Sequence, residues 1–191
     1  RIPGEMKRFA SLLSLEDKFE SLHLSKVKDG VVVIVPENVH ISTPNYLPSF
    51  ASPFEHVYVV AKSGSRISLV HHEQSTLVEG YHSSAVEVFA EKDAHVTYVS
   101  LQDFSSSVTR FAFKRARVSE RATVDWFWSE FGSQLVKMDV SSYLQGENAS
   151  SQNVGVYLGT HSQVLDVDVR AIHTHPHTKS HLLARGVLND S

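Results

Sequence analysis

Hydrophobic and polar residues alternate along most of this chain, which is the pattern of half-buried β-strands. The alternation is clearest in five runs rich in valine and aromatic residues, at 57–59, 86–88, 96–99, 124–128 and 164–169. The beginning of the chain differs, because Met6, Phe9 and Leu13 follow one another at spacings of three and four. That spacing predicts one face of a short helix, and a second helical stretch is predicted within 15–24.

The strands recur at a nearly constant spacing. Apolar runs begin directly after polar turns, 28 to 30 residues apart, at Val39, Ile67, Val96, Val124, Val154 and Leu182. A second set of strands lies between them, near Val57, Val86, Phe111, Met138 and Val167. A unit of two short strands cannot bury both of its faces alone, whereas stacked units bury a continuous core. A period near 29 residues therefore predicts a solenoid.

We predict an all-β protein with two regions. Residues 1–28 form an N-terminal helical segment, and 29–191 form a right-handed parallel β-helix. The competing architecture is a β-sandwich or jelly roll with evenly spaced hairpins. Tight hairpins favour Asn-Gly or Asp-Gly turns, and only the Asp29-Gly30 pair occurs in the sequence. The β-helix is therefore the favoured fold.

Composition narrows the chemistry. The 191 residues include 18 basic and 21 acidic side chains, a formal net charge of −3, so no polyanion-binding surface and no nucleic-acid partner are expected. There is no cysteine, which excludes disulfides, thiolate catalysis and cysteine-ligated clusters held by this chain alone. No run of apolar residues is long enough for a membrane span, and the first nine residues lack a signal-peptide core. We therefore predict a cytoplasmic protein.

Three alternating histidines are the first candidate site. His173, His175 and His177 would share one face of an extended strand, and converging neutral imidazoles can bind zinc, iron or copper. Pro176 argues against a regular interior strand there. A corner between coils, with solvent-facing or hydrogen-bonded histidines, is the favoured interpretation.

Two further pairs could carry acid–base chemistry. His71 and Glu73 share a strand face, whereas His72 points to the opposite one. Asp166 and Asp168 also share a face, as do the paired carboxylates of β-helix polysaccharide enzymes. The two aspartates alternate with apolar neighbours, which is explained more simply if they form the solvent-facing side of a half-buried strand. A structural role is likewise favoured for His71 and Glu73.

Large aromatic side chains occupy both faces of one strand, at Trp126, Phe127 and Trp128. At least one ring should lie on the outer surface unless another layer covers it, and exposed rings often mark a contact with a partner. Asp125 and Glu130 flank the rings, so stacking on nucleic-acid bases is not expected. Neither a phosphate-binding GxxxxGK[ST] loop nor a GxSxG elbow occurs.

Several segments resemble the SufB/SufD family of iron–sulfur cluster assembly proteins. The run DGVVVIVPENV at 29–39 is similar to the start of the core of that family. The stretch HTHPHTKS at 173–180, followed by RGVL at 185–188, resembles a stretch typical of SufD. Residues 57–73 resemble the first coil of the family. The resemblance covers 26–191.

The resemblance implies a β-helix that pairs with a SufB-type subunit and docks a SufC-type ATPase through a helical C-terminal domain. SufB-like chains usually carry a cysteine after the first coil, where 71–75 here read HHEQS, so the chain resembles SufD more than SufB. The cluster-assembly residues of the family would lie beyond Ser191, and we therefore expect a fragment truncated at its C-terminal end. On this basis we assign no catalytic, cofactor-binding or metal residue.

The leading hypothesis is therefore a non-catalytic scaffold subunit, not an enzyme, of a SUF-type assembly complex. No cofactor is expected on this chain alone, an iron–sulfur cluster is possible in the assembled complex, and a homodimer stays open. One alternative is a β-helix carbohydrate-active enzyme that uses Asp166 and Asp168. The other is a metal-binding β-barrel centred on His173, His175 and His177.

Overall fold

The computed structural model describes residues 4–48, 50, 52–74 and 79–189. In these ranges a 3₁₀ helix, Gly4–Arg8, and an α-helix, α1, Lys18–Lys26, precede twelve strands. The strands are β1 Asp29–Val35, β2 Asn45–Tyr46, β3 Phe54–Ala61, β4 Arg66–Glu73, β5 Glu79–Ala90, β6 His95–Gln102, β7 Ser107–Val118, β8 Thr123–Glu130, β9 Leu135–Leu144, β10 Ser150–Thr160, β11 Val164–His173 and β12 Lys179–Asn189.

The strands form two sheets, and the chain visits them alternately. Sheet 1 has the order β1-β3-β5-β7-β9-β11, and sheet 2 has the order β2-β4-β6-β8-β10-β12. All neighbouring strands in both sheets are parallel. The result is a β-solenoid of about six turns with one short α-helix, which confirms the predicted fold and excludes a sandwich of hairpins. The right-handed winding that we expect is the sense that parallel crossovers favour.

The ladder register agrees with the predicted period in the middle of the chain. Ile67 pairs with Val96, and Val96 pairs with Val124. The next partner of Val124 is Ser151, three residues before the predicted Val154. The apolar run starts late in β10 because polar side chains fill inward positions there: the Ser151 hydroxyl donates to the carbonyl of Val124 at 2.9 Å.

One corner of every turn contains a residue with left-handed backbone geometry. The six are Asn38, Gly64, Asp93, Arg121, Asn148 and His177, with φ between 53° and 69°. The backbone N–H of each of the first five donates to the carbonyl that precedes the corresponding residue of the next turn, at 2.9 to 3.3 Å. This ladder of corners, which we call the left-handed corner ladder, satisfies backbone groups that would otherwise need water.

The interior of the solenoid fits large rings against glycines. Trp126 and Trp128 of sheet 2 are buried, and the indole Nε1 of Trp128 donates to Asn153 at 2.7 Å. A Cβ atom on Gly155, the ladder neighbour of Trp128, would lie 1.9 Å from the Trp128 ring. Phe127 points to the opposite face and is half-buried. Only this ring of the three therefore faces outward.

The first predicted helical stretch, around Met6, Phe9 and Leu13, is not one continuous helix, whereas the second, within 15–24, overlaps α1. Residues 4–8 form a 3₁₀ helix, and Ala10, with φ of 60°, interrupts any continuation toward Leu13. Helix α1 begins after Asp17, whose Oδ1 accepts hydrogen bonds from the backbone N–H groups of Phe19 and Glu20. The side chain of Met6, which we predicted on the helix face, lies outside the described part of the chain.

The N-terminal segment, residues 4–26, covers the outer face of sheet 1. The ring of Phe19 stacks on that of Phe111 with centroids 4.5 Å apart. The buried carboxylate of Glu87 accepts hydrogen bonds from the backbone N–H groups of Ala10 and Leu12, at 2.6 and 2.7 Å. Strands β3, β5 and β7 are consequently buried on both faces, whereas strands of sheet 2 such as β4 and β6 alternate between buried and exposed positions.

Candidate functional site

A group of ionisable side chains lies inside the solenoid, where a core of this kind is otherwise apolar. We call it the interior charged cluster, and each member is between 0% and 4% exposed. Its members are Glu55, His82, Arg110 and Lys114 from sheet 1 and His71, Glu73 and Glu130 from sheet 2. Ionisable groups this deeply buried need partners, because water is not available to solvate them.

Arg110 connects the two carboxylates of sheet 2. One guanidinium nitrogen donates to Glu130 Oε1 at 3.0 Å, and another donates to Glu73 Oε2. The same oxygen of Glu73 also accepts from the Ser84 hydroxyl at 3.0 Å. These charge-assisted contacts hold the Glu73 carboxylate in one orientation.

Lys114 is the second cation of the cluster. Its ammonium group donates to the Ser100 hydroxyl at 2.5 Å and lies 3.9 Å from Glu73 Oε1. Burial lowers the pKa of Lys114, although Glu73 favours its charged form. The positive charge of Lys114 therefore lies near the Glu73 carboxylate without donating a hydrogen bond to it.

His71, Glu55 and Glu73 bring donor atoms together at the first turn of the cluster. One donor atom from each of the three lies within 4.8 Å of the other two. His71 Nε2 is 3.4 Å from Glu55 Oε1, and Nδ1 is 2.9 Å from the Tyr98 hydroxyl. Glu55 Oε1 and Glu73 Oε1 have no hydrogen-bond partner in the described chain. Two buried carboxylate oxygens near the His71 imidazole therefore accept no hydrogen bond.

The two carboxylates of this trio differ in their protonation. Burial, together with the nearby charge of Glu73, raises the pKa of Glu55 to about 9. Burial would also raise the pKa of Glu73, but Arg110 and Lys114 outweigh it and hold that pKa below its ordinary value. Burial lowers the pKa of His71, so its imidazole is neutral near pH 7.

This arrangement combines features of a ligand or proton-transfer site. A neutral imidazole, an ionised carboxylate and a carboxyl group with a raised pKa lie within one small volume. Strongly shifted ionisable groups that converge in this way are candidates for a functional site, although structural ion pairs produce such shifts too. The donor set of two carboxylates and one imidazole is also one that binds divalent transition-metal ions.

The structure separates the three histidines of the predicted metal site. His173 ends β11, with its ring nitrogens 2.7 Å from the Thr178 hydroxyl and 3.0 Å from the Ser180 hydroxyl. His175 and His177 follow in the corner, where His177 has left-handed geometry and both are exposed. The ring nitrogens of these three histidines do not come together as a set of metal ligands. They lie at a corner with hydrogen-bonded or exposed rings, as the favoured interpretation has it.

The predicted aspartate pair lies on the outer face of sheet 1 and is occupied by ion pairs. Asp166 Oδ2 is 2.7 Å from the Lys137 ammonium, and Asp168 Oδ1 accepts from Arg170 at 2.9 Å. Each carboxylate therefore already has a cationic partner on the surface. His72, in turn, points away from the interior, as alternation predicts, while His71 and Glu73 are buried.

Most of the interior charged cluster was not singled out from the sequence. The missed residues are Glu55, His82, Arg110, Lys114 and Glu130. The sequence does contain a signal for them, because each lies at a position of its strand that points inward. Arg110 and Lys114, for example, share the inward face of β7 with the buried Ala112 and Ala116. A charge at an inward position is the observation that would have identified the cluster.

Comparison with known proteins points to one family. Residues 45–191 match the family described as "SUF system FeS cluster assembly, SufBD core domain". An iron–sulfur cluster assembly SufBD family protein of Staphylococcus epidermidis is 28% identical over 189 residues, which cover 94% of this chain and 40% of that protein. A SufBD family protein of Staphylococcus aureus is 28% identical over 194 residues, covering 95% and 41%.

The chain therefore spans about 40% of the length of the curated relatives that it matches. Within the residues that the structure describes, no helix is long and apolar enough to cross a membrane. The family match covers β2 to β12 and leaves out residues 1–44. The parallel solenoid is the fold that the resemblance of 26–191 implies. This chain belongs to the SufBD core domain family of the SUF system for iron–sulfur cluster assembly.

Proposed function

We propose that this domain is part of a non-catalytic, SufD-like scaffold subunit in a SUF-type iron–sulfur cluster assembly complex. The observation that carries the proposal is the combination of a SufBD core match over 45–191 with a chain that contains no cysteine. A cluster is held in proteins chiefly by cysteine thiolates. This domain would therefore support assembly by shaping a partner, and the cluster would be cargo bound largely by others.

The region after the first complete coil supports the comparison with SufD. SufB-like chains resemble this one there but usually carry a cysteine, whereas this chain has His71, His72 and Glu73 at the end of β4. Ser75, which belongs to the same comparison, lies outside the described residues. The imidazole of His71 and the carboxylate of Glu73 point inward and are engaged with Tyr98, Arg110 and Ser84.

The proposed partners are a SufB-type subunit and a SufC-type ATPase, with the cytoplasm as the expected compartment. A two-subunit scaffold suits a rigid solenoid, because its parallel ladders fix the relative positions of surface side chains over six turns. A homodimer of this protein is the alternative assembly.

Co-purification tests this proposal. The full-length protein that contains this domain is co-expressed with the SufB-type and SufC-type proteins of the same organism and purified under anaerobic, reducing conditions. We expect a stable complex that contains all three chains on size-exclusion chromatography, and omission of the SufB-type protein serves as the control. Elution as a homodimer alone, with neither partner bound, would contradict the proposal.

The two alternative functions gain no support from the site. The aspartates required by a carbohydrate enzyme are paired with Lys137 and Arg170 on the surface. The fold is an open solenoid and not a barrel, and His173, His175 and His177 do not converge.

A further inference from the structure

We propose that Glu55, His71 and Glu73 form an interior binding site for one divalent first-row transition-metal ion. The site is distinct from the scaffold role proposed above, which requires no resident metal. It also differs from the metal site that the sequence suggested, because none of its ligands comes from the histidines at 173–177.

The geometry supports a ligand and not only an ion-pair network. The three donor atoms lie within 4.8 Å of one another, a separation that one ion bridges with modest side-chain adjustment. Glu55 Oε1 and Glu73 Oε1 are buried and have no hydrogen-bond partner among the described residues. Buried carboxylate oxygens left without a partner are costly, and a cation between them would satisfy both.

The remaining atoms of the trio are held as metal ligands usually are. His71 Nδ1 lies 2.9 Å from the Tyr98 hydroxyl and 4.0 Å from Glu73 Oε1, which leaves Nε2, 3.4 Å from Glu55 Oε1, available to bind the ion. The second oxygen of Glu73 accepts hydrogen bonds from Arg110 and Ser84. Hydrogen bonds of this kind orient the side chains that bind a metal directly, and they fix the tautomer of a bound imidazole.

The donor chemistry defines the class of ion. Two carboxylates and one imidazole, with no thiolate or thioether among the three, favour Fe(II), Mn(II), Co(II) or Zn(II) over Cu(I). An all-oxygen site would suit Mg²⁺ or Ca²⁺ better, and the imidazole disfavours both.

Charge balance also permits a cation. A metal ion would displace the carboxyl proton of Glu55, and Glu55, Glu73 and Glu130 would then carry three negative charges against the two positive charges of Arg110 and Lys114. The Lys114 ammonium, 3.9 Å from Glu73 Oε1, is the group nearest to competing with a metal ion for that oxygen. Removing Lys114 should therefore strengthen metal binding.

The first experiment uses the full-length apo protein, incubated overnight with Co(II) or Zn(II) because the ligands are buried. Bound metal is counted by elemental analysis after gel filtration, and Co(II) is followed by its visible absorption. We expect one equivalent of tightly bound metal assigned to this site and a rise in Tm with metal concentration. A wild-type protein that retains no metal after gel filtration would overturn the proposal without any variant.

The second experiment assigns the ion to its ligands. Glu55→Gln keeps the side-chain volume and should lose one equivalent of metal, or bind it at least tenfold more weakly. Glu130→Gln is the matched control, since it removes a buried carboxylate that contacts Arg110 but is not a ligand. Lys114→Met should bind Co(II) more tightly than the wild type, a gain that damage to the fold would not produce.

Exposed histidines could bind metal independently, so the variant His173→Asn/His175→Asn/His177→Asn is measured in parallel. We expect it to retain the equivalent that Glu55→Gln loses. Loss of metal in this triple variant with retention in Glu55→Gln would show binding at surface histidines only, and the proposal would fail.

Discussion

Arg110 lies at the centre of the interior charged cluster, completely enclosed by protein. Its two ion pairs, with Glu73 and Glu130, offset the cost of removing a guanidinium group and two carboxylates from water. Such a balance is asymmetric: the pairs add little stability beyond that of an apolar replacement, but removal of one partner leaves buried charges unpaired. The cluster therefore constrains which single substitutions this core can accept.

Arg110→Met should lower the free energy of unfolding by about 3–5 kcal/mol, because Glu73 and Glu130 lose their cationic partner in a buried setting. The measurement is denaturant unfolding followed by circular dichroism. Lys137→Met removes an exposed ion pair with Asp166 and should cost no more than about 1 kcal/mol. Equal effects of the two substitutions would contradict the assignment of Arg110 to a buried pair.

His23 provides a pH-dependent contribution at the junction of α1 and sheet 1. Its ring contacts the Ser83 hydroxyl at 2.9 Å and His56 at 3.4 Å, and Glu87 lies beyond His56 at 3.1 Å. Burial, with the nearby His56 and His82, lowers the pKa of His23 to about 3. The folded protein therefore holds this imidazole neutral over a range where the unfolded chain would protonate it.

The sign of the effect follows from proton binding. Between pH 6.5 and about 3 the unfolded state binds more protons at His23 than the folded state does, so stability falls as the pH falls through that range. His23→Leu should reduce this loss, measured as the change in Tm between pH 7 and pH 5. His40→Leu, at an exposed position, is the control. An unchanged pH dependence in His23→Leu would contradict the prediction.

At the scale of elements, the N-terminal segment and sheet 1 depend on each other. The ring of Phe19 stacks on Phe111, and that of Phe9 lies 4.4 Å from the ring of His56. Glu20 adds an ion pair with Arg115 of β7. The segment contributes no strand to either sheet and is held by side-chain contacts and hydrogen bonds to Glu87, so it should open more readily than the solenoid beneath it.

Phe19→Ala should therefore release the segment before it affects the sheets. We expect a loss of about 1–2 kcal/mol, less than for a fully buried phenylalanine because Phe19 is half-buried. Limited proteolysis should cut within 4–26 faster than in the wild type. Leu22→Ala, at an exposed position on the same helix, should leave the cleavage rate unchanged. Equal acceleration by both changes would contradict this docking contact.

The left-handed corner ladder sets a backbone requirement at single positions. Asn148 has a φ of 58°, a conformation that asparagine tolerates and β-branched residues resist. Asn148→Val should cost about 1–2 kcal/mol, whereas Asn148→Gly should change stability by less than about 0.5 kcal/mol. Denaturant unfolding of the two variants distinguishes them. Equal costs would mean that side-chain contacts, and not φ, determine the residue at this corner.

The sequence predicted the elements better than it predicted their contents. Period and alternation identify the parallel solenoid because both are local properties of Val-rich runs and polar corners. Alternation also assigns His71 and Glu73 to one face. It does not reveal that Glu55 and Arg110 meet them, since those residues lie on sheet 1 and reach His71 and Glu73 of sheet 2 only where the two sheets face each other across the interior. The exact start of α1, within the helical stretch predicted at 15–24, depended on a local cap, Asp17, that the apolar spacing did not show.

At the scale of the whole molecule, burial is uneven along the solenoid axis. Strands β5 and β7 are almost entirely buried, whereas every residue of β12 is exposed and β11 is at most half-buried. In a solenoid each turn is stabilised mainly by its neighbours, so a turn with one neighbour is less stable than a turn with two. Stability of the 191-residue chain taken alone should therefore decline toward β11 and β12.

Amide hydrogen exchange of the 191-residue chain tests this gradient. Amides of β12 should exchange faster than those of β6, because β12 is hydrogen-bonded to one strand and β6 to strands on both sides. Mass spectrometry of peptic fragments resolves the two strands. Uniform protection along the axis would indicate all-or-none unfolding and contradict the gradient.

The left-handed corner ladder has a consequence for how such a chain can change length over evolution. Its residues are 26 to 29 positions apart, yet they stack on one another through backbone hydrogen bonds. The ladder pairs enclose four residues at the corner 119–122 but five at 145–149, and the Arg121 N–H still donates to the Glu147 carbonyl. This corner has therefore accepted one extra residue before its left-handed position without losing the stacking bond. Descendants of this sequence can gain or lose residues in the opposite connections, such as 131–134 or 161–163, or duplicate whole coils, while each of the six corners keeps its left-handed residue.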